Sequence, residues 1–310
     1  MANWNDIMKE VQETQSQYDI IRRKYLKELS EYTNRNVLIY YSGWLKKPGA
    51  PNLDINDGDM EGFMTCINGM DCSKGLDLIL HTPGGSATAA QAIVNYLRSK
   101  FNRSNNDKPC YDIRVIVPQL AMSAGTMIAC SAKEIIMGRQ SSLGPIDPQF
   151  NGIPAYNILN EFLEAKEDLS NNPNNAQYWG IKLQQYPAAF LQTALDAIQL
   201  SGELVEDWLG TCMFDRNDSD QRSYIKKIVS KLNDHENSKV HDRHFDAKFC
   251  QDIGLKIEML ENDNNLQDKV LSVHHACMIT LDGTSVIKLT ENQDGRAFIS
   301  SLPMMPIMSR

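Results

Sequence analysis

The sequence lacks the cysteine pattern of a secreted or zinc-binding protein. Its seven cysteines are an odd number, lie far apart and include no Cys-x-x-Cys pair. A chain of 310 residues can bury a large core without cross-links, so such cysteines are typical of reduced thiols. We therefore expect a cytoplasmic protein with neither a disulfide framework nor a structural zinc site.

Long apolar runs and clusters of basic residues are also missing. No uncharged run approaches the ~20 apolar residues of a membrane-spanning helix, and charges such as Asp6 and Arg22 occur early in the chain. We expect no signal peptide and no integral membrane segment, while peripheral membrane association stays open. The net charge is −8 with scattered lysines and arginines, so nucleic acid is not an expected partner.

Motifs for metals and cofactors are absent as well. The sequence contains neither a Walker motif nor the dinucleotide fingerprint GxGxxG, and no cofactor is expected. Two histidine pairs, His241 with His244 and His274 with His275, do not have the HExxH spacing of a zinc protease. We expect them to be solvated or capping histidines, and no metal site.

Apolar periodicity predicts an α/β protein. Short β-rich runs at 36–43, 76–80, 113–117 and 134–137 alternate with helical stretches at 60–68, 87–101 and 123–132. This order predicts parallel strands covered by helices on both faces. Further helices are predicted at 155–169, 188–209, 223–232, 245–253 and 266–279, and a last strand at 285–289.

The same patterns suggest three parts. Residues 1–35 form an N-terminal helix, residues 36–292 form the main domain with a helical insertion at about 155–235, and residues 293–310 form a tail. In the N-terminal helix, apolar residues from Ile7 to Tyr25 recur at the spacing of a helical seam. The seam packs either on its own domain or against another subunit, and the first is slightly favoured.

The first candidate site is the segment His-Thr-Pro-Gly-Gly at 81–85. It follows a predicted parallel strand and opens a helix, which is where α/β proteins place ligands. Gly84 and Gly85 leave their backbone N–H groups open to a substrate because no Cβ covers them. The weaker alternatives are a phosphate-binding loop and a structural Pro-Gly turn.

The second candidate site is Ser123, which again lies between a strand and a helix of small residues. At a helix N-terminus, unpaired N–H groups and the helix dipole favour a developing negative charge. The N–H of Ala124, with that of Gly84 or Gly85, could form an oxyanion hole for acyl transfer. Taken alone, a serine at the start of a helix is far more often an N-cap than a nucleophile.

Together these motifs resemble a known family. Residues 78–86, 121–125 and 142–149 are similar to the signal peptide peptidase A and Clp protease group, and most closely to the serine dehydrogenase proteinase family. Residues 165–169, 254–255 and 287–292 also look like that family, so the resemblance extends from Asn36 to Asn292.

The resemblance implies a Clp/crotonase-type spiral of ββα units with a parallel sheet, to which the N-terminal helix and a C-terminal helical appendage are added. It also implies hydrolysis of polypeptide substrates through an acyl-enzyme, and assembly into a homo-oligomer. By position, Ser123 takes the place of the nucleophile, and Gly84 and Gly85 that of the oxyanion loop.

The general base is less evident, because no histidine occurs between His81 and His235. Histidine-using relatives carry the base in the stretch that here contains Asp147, whereas the signal peptide peptidase branch uses a later lysine. Lys166 is the preferred lysine, since Phe162 and Leu163 could bury its stem. Its neighbours are carboxylates, however, so a solvent-facing lysine is an equal interpretation.

Three further residues remain as alternative bases. They are Lys182, then Asp147 as a carboxylate base or a turn residue, and lastly His81 within the glycine loop. The leading hypothesis is thus a Ser-Lys peptidase. A crotonase-like acyl-CoA enzyme and a catalytically inactive assembly protein of the same fold are the alternatives.

Overall fold

The computed structural model describes residues 4–13, 18–103, 110–233 and 243–303. The α-helices are α1 (Trp4–Glu13), α2 (Tyr18–Thr33), α3 (Asp59–Ile67), α4 (Ala87–Lys100), α5 (Ala124–Cys130), α6 (Ala155–Asn171), α7 (Ala176–Leu183), α8 (Phe190–Trp208), α9 (Ser219–Leu232), α10 (Ala247–Ile253) and α11 (Asn264–Gly283). Single turns of 3-10 or π-helix occur at Cys72–Lys74, Pro173–Asn175, Leu209–Met213 and Leu260–Asn262.

The β-strands build three sheets. They are β1 (Asn36–Ser42), β2 (Leu76–His81), β3 (Ile113–Val117), β4 (Leu120–Ala121), β5 (Glu134–Met137), β6 (Ser142–Leu143), β7 (Gln149–Phe150), β8 (Ile153–Pro154), β9 (Phe245–Asp246), β10 (Ile257–Met259), β11 (Val286–Asn292) and β12 (Ala297–Ser301). The main sheet has the order β10-β5-β3-β2-β1-β11-β12, beside a three-stranded sheet β4-β6-β9 and the hairpin β7-β8.

The main sheet is largely parallel. From β10 to β1 every neighbouring pair is parallel, and β11 and β12 add two antiparallel strands at the other edge. Leu38, Leu78 and Val115 stand in register across β1, β2 and β3. The α/β architecture with a parallel sheet, expected from the sequence, is confirmed.

Alternate residues of each strand enter two different cores, as the two-residue period of a strand requires. Leu78 and Leu80 face the larger core, where α3, α4, α5, α9 and the second half of α8 pack. Ile79 faces the smaller core with α2 and α11. Because both faces are covered by helices, the central strands are apolar throughout.

The N-terminal seam packs on its own chain. Ile7, Val11 and Ile21 are buried against Ala276 and Ile279 of α11. The buried Arg22 makes an ion pair with the equally buried Glu291 of β11, and Arg23 reaches the same carboxylate at 2.6 Å. These contacts favour the interpretation that α1 and α2 dock on their own domain.

Several segments differ from the sequence predictions. The region predicted as one N-terminal helix contains α1 and α2, and the helix predicted at 245–253 is preceded by β9 and begins at Ala247. A helix, α7, occupies residues 176–183, where none was predicted. The expected tail from residue 293 is wrong in part, because β12 pairs with β11 and closes one edge of the main sheet. Residues 304–310 of that tail lie outside the described residues. Within the described ranges, no helix is long and apolar enough to cross a bilayer.

Candidate active site

Ser123 occupies a strained turn between β4 and α5. Its φ of 50° and ψ of −117° are unfavourable for a residue with a Cβ. Its side chain makes no capping hydrogen bond to α5 and is partly exposed. The structure therefore gives no support to the interpretation of Ser123 as a simple N-cap.

Small residues and two threonines hold this turn. The Gly125 N–H donates to the Met122 carbonyl at 2.7 Å, and a Cβ on Gly125 would lie 2.5 Å from Thr82 Cγ2. The Thr126 hydroxyl donates to the Ala121 carbonyl and accepts the Gly144 N–H, each at 2.9 Å. The small-residue composition of α5 is thus required by the close approach of the loops around it.

The glycine loop lies directly against the serine. Gly84 has a φ of +99°, and a Cβ on it would come within 2.6 Å of Ser123 Cβ. Gly85 has a φ of +149°, and a Cβ there would come within 2.4 Å of the Ile55 backbone. Both positions therefore need glycine for conformation and for space.

Ile55 pairs with the loop through its backbone. Its N–H donates to the Gly84 carbonyl at 2.7 Å, and its carbonyl accepts the Ser86 N–H at 2.8 Å. In this bridge Gly85 directs its own N–H away from Ile55. The Gly84 N–H donates to Thr82 Oγ1 at 3.2 Å, so Gly85 has the more available donor.

Ser123 faces a cavity of about 690 Å³. Apolar lining residues come from α5, from α8 and from the segment that ends in β7, and Asp54, Ser86 and Gln149 are among the polar lining residues. This volume and composition are those of a site for a small part of a larger ligand. Besides Ser123 and the glycine loop, the lining residues include Asp54, Ser86, Thr88, Met127, Ile146, Pro148, Gln149, Phe150, Ala197, Leu200 and Ser201.

The two candidate lysines do not line this cavity. Helix α6 starts beside it, since the Ala155 N–H donates to the Pro148 carbonyl at 2.9 Å, but Lys166 lies eleven residues farther and is exposed. At 1.5 Å per residue that is roughly 16 Å along α6. Lys182 makes a 2.6 Å ion pair with Glu161, and this hydrogen bond raises the pKa of Lys182.

The other two candidate bases are buried. Asp147 is fully buried between Ile146 and Pro148, which line the cavity, but is not itself a lining residue. His81 points to the opposite face of the sheet, where its ring lies 4.3 Å from that of Trp44 and 5.5 Å from that of His274. Burial lowers the pKa of His81 to about 3.

Of the two histidine pairs outside the site, His274 differs most from expectation. His274 was expected to be solvated or capping, but it is buried in α11 and hydrogen-bonds the Tyr41 hydroxyl at 3.1 Å. Burial lowers its pKa well below the usual value. His275 is half-buried, His244 is exposed, and His241 lies outside the described residues. Among the residues that are described, no cluster of three or more His, Cys, Asp or Glu is placed to hold a metal.

The sequence did not reveal the part played by Ile55. Its hydrogen bonds to the glycine loop are made by backbone atoms, which no side-chain pattern reports. The apolar lining by Met127 and Leu200 was also missed, although both lie on predicted helices, because nothing in the sequence orients those helices around the serine.

Two uncharacterized proteins are similar to part of this chain. The uncharacterized protein MJ0137 of Methanocaldococcus jannaschii is 38% identical over 146 residues, which cover 46% of this chain and 48% of that protein. A second protein of that organism, the uncharacterized MJ1495, is 38% identical over 113 residues, or 36% of each chain. The chain thus matches less than half of the length of either relative.

A solved structure is similar over a larger part of the chain. It is a mutant of the 1510-N membrane-bound stomatin-specific protease, 18% identical, with a TM-score of 0.36 and coverage of 70% of this chain and 79% of the other. The sequence model of the ClpP-like SDH-type serine proteinases matches residues 7–174, more than half of the chain, and includes Ser123 and the glycine loop. The chain belongs to the ClpP-like SDH-type serine proteinase family.

Proposed function

We propose that the protein is a serine peptidase that hydrolyses polypeptides through an acyl-enzyme on Ser123. The observation that carries this proposal is the position of Ser123. It lies in a strained strand-to-helix turn, faces a cavity and has the glycine loop on one side and the start of α5 on the other.

In the proposed reaction, Ser123 Oγ attacks the carbonyl carbon of the scissile peptide. A base takes the hydroxyl proton and returns it to the leaving amine as the C–N bond breaks, and water then hydrolyses the ester. The N–H groups of Ala124 and Gly85 stabilise the oxyanion, with Gly84 as the alternative donor. Ala124 is the first residue of α5, so its N–H has no acceptor within the helix.

We propose Lys166 as the base, supplied by another copy of the chain. Lys166 is exposed, does not line the cavity and lies roughly 16 Å along α6 from the end of that helix beside the cavity, which favours a site in another copy over its own. A lysine acts as a base only when its amine is neutral, which requires desolvation. In the proposed homo-oligomer, a contact that covers α6 brings the Lys166 amine to Ser123 of another copy and buries that amine. Lys182 ranks below Lys166 because it is paired with Glu161. Asp147 and His81 rank lower because both are fully buried in their own copy, whereas Lys166 is exposed and accessible to another copy.

Labelling with a fluorophosphonate probe tests the nucleophile. We expect covalent labelling of the wild-type protein, loss of labelling in Ser123→Ala, and unchanged labelling in Ser201→Ala, which removes a second serine of the same cavity. An unlabelled wild type, or equal labelling of Ser123→Ala, contradicts the proposal. In that case, a calorimetric titration with acyl-CoA separates the crotonase-like alternative from an inactive assembly protein.

A further inference from the structure

A buried ion pair lies behind the loop that carries Ile55. Lys288 of β11 and Asp59 at the start of α3 are 7% and 9% exposed. The Lys288 Nζ donates to both Asp59 carboxylate oxygens, at 2.8 and 2.9 Å, and to the Asp54 carbonyl at 2.5 Å. An ammonium group has three N–H donors, so these acceptors use all of them.

Asp59 in turn holds the other end of the same loop. Its carboxylate accepts the Asn56 N–H at 2.9 Å and the Tyr40 hydroxyl at 2.8 Å. The Lys288–Asp59 pair therefore fixes the backbone immediately before and immediately after Ile55. Residues 54–56 belong to no helix or strand, so these hydrogen bonds, together with the buried Ile55 side chain, hold their position.

Ile55 then transmits this position to the glycine loop. Its N–H and carbonyl bond the residues on either side of Gly85, and Gly85 packs on it without a Cβ. A shift of Ile55 therefore moves Gly84 and Gly85 relative to Ser123. Misplacement of catalytic groups by about 1 Å can cost on the order of 100-fold in rate.

We propose that Lys288 and Asp59 are positioning residues, which set the oxyanion loop of Ser123 through the backbone of Ile55. This inference rests on the proposed function of Ser123 and deepens it. Neither residue lines the cavity, so neither is expected to contact substrate. Their role differs from general support of the fold in two ways. It affects the position of one loop, and it affects stabilisation of the transition state more than it affects substrate binding.

The chain offers a matched control on the same strand. Arg22 and Glu291 form another fully buried ion pair, but this pair joins β11 to α2 on the far side of the sheet and makes no contact with residues 54–59. Lys288→Met leaves the buried Asp59 without its cation, and Arg22→Met leaves the buried Glu291 with Arg23 as its remaining cation, so both variants weaken a buried ion pair. Lys288→Met and Arg22→Met should both lower the thermal unfolding midpoint, whereas only Lys288→Met should disturb the loop.

The first measurement is hydrogen exchange of the whole protein without substrate. We expect Lys288→Met to accelerate exchange of the Ile55 and Ser86 amides at least tenfold more than exchange of the β2 amides, and Arg22→Met to show no such local effect. Unchanged protection at Ile55 and Ser86 would overturn the inference. This measurement does not depend on catalysis, so its failure is distinct from a failure of Ser123 to react.

The second measurement is steady-state hydrolysis of a fluorogenic peptide. Lys288→Met should lower kcat about tenfold or more with KM changed less than threefold, and should weaken inhibition by a peptide boronate, which forms a tetrahedral adduct, by a similar factor. Arg22→Met should keep kcat within twofold. Equal kcat losses in the two variants would show a merely structural role.

A double variant separates position from stability. The double variant Lys288→Met with Asp59→Asn removes both buried charges. Its thermal unfolding midpoint should therefore be higher than that of Lys288→Met alone and closer to that of the wild type. The Asp54 carbonyl still lacks its amine donor, and kcat should stay low. Recovery of kcat together with the unfolding midpoint would overturn the inference. If Lys288→Met alone does not fold, the double variant takes its place in the exchange and kinetic measurements.

Discussion

Gly84 and Ser123 are so close that a Cβ added to Gly84 would stand 2.6 Å from the Cβ of the serine. It would also lie 2.7 Å from the Met122 carbonyl oxygen, and the φ of +99° is unfavourable for any L-residue. We therefore expect Gly84→Ala to abolish fluorophosphonate labelling of Ser123 and to cost about 1–3 kcal/mol of unfolding free energy.

Gly49→Ala is the matched control for that variant. Gly49 has a similar φ of +82°, but a Cβ added to it would meet no atom within 4 Å, and it has no place in the cavity. It should show a comparable conformational cost on urea unfolding and normal labelling of the serine. Normal labelling of Gly84→Ala would argue against a close functional contact between the glycine loop and Ser123.

Mixing of two inactive variants tests the supply of Lys166 by another copy. Ser123→Ala and Lys166→Met should each lose peptide hydrolysis. If they are unfolded and refolded together, mixed assemblies with an intact Ser123 and an intact Lys166 in one site should recover a measurable fraction of wild-type turnover. No recovery, with mixed assembly shown by native mass spectrometry, would place the base within the same copy.

Lys182→Met should leave peptide hydrolysis within about twofold of the wild type. The hydrogen bond that Lys182 donates to Glu161 raises the pKa of Lys182 and so keeps its amine protonated, which is the wrong state for a base. The rate is measured as kcat/KM between pH 7 and 9. A loss as large as that of Lys166→Met would reverse the order of the two lysines.

The buried histidines predict a loss of stability in mild acid. Burial lowers the pKa of His81 to about 3, whereas an unfolded histidine titrates near 6.5. Below pH 6.5 the unfolded state therefore binds a proton that the native state does not, and unfolding free energy falls by up to about 1.4 kcal/mol per pH unit for this residue. His274 acts in the same direction.

Urea unfolding at pH 7, 6 and 5 measures this effect. His81→Phe should flatten the dependence on pH, because a phenyl ring does not titrate and packs in the same aromatic surroundings. The exposed His244 provides the control, and His244→Ala should keep the wild-type slope. Parallel curves for wild type and His81→Phe would refute the assignment.

The apolar cavity wall predicts a preference for substrates with an apolar side chain at the cleavage site. Leu200→Ala should lower kcat/KM for a leucine-containing peptide about tenfold or more relative to an alanine-containing one, since one such contact contributes roughly 1–3 kcal/mol. Leu163→Ala, which changes an exposed leucine of α6 outside the cavity, should leave the ratio unchanged. An equal ratio in all three proteins would exclude Leu200 from the substrate site.

Strand and helix types could be predicted from the sequence because the central strands are buried on both faces. β2, β3 and β5 were expected within one residue of their observed bounds. The alternation of side chains along β2 could also have shown on which face of the sheet His81 lies. It shares a face with Ile79, opposite to Leu78 and Leu80, and so could not be near a serine that packs with the larger core.

Other features, among them α7 and β12, have no sequence pattern that predicts them. In α7 only Trp179 is buried, so the helix has no apolar stripe. β12 is a short, half-exposed edge strand that depends on pairing with β11. The Lys288–Asp59 pair joins residues far apart in the sequence, and neither has a local pattern that predicts its partner.

The place of β11 beside β1 has a consequence for synthesis. A ribosome makes β1, the glycine loop and Ser123 long before it makes Lys288, and domains fold as their residues emerge. Until β11 has joined the sheet, residues 54–56 lack their anchor and the loop against Ser123 is not set. Under the proposed function, Ser123 therefore acquires its oxyanion loop only after β11 has paired with β1.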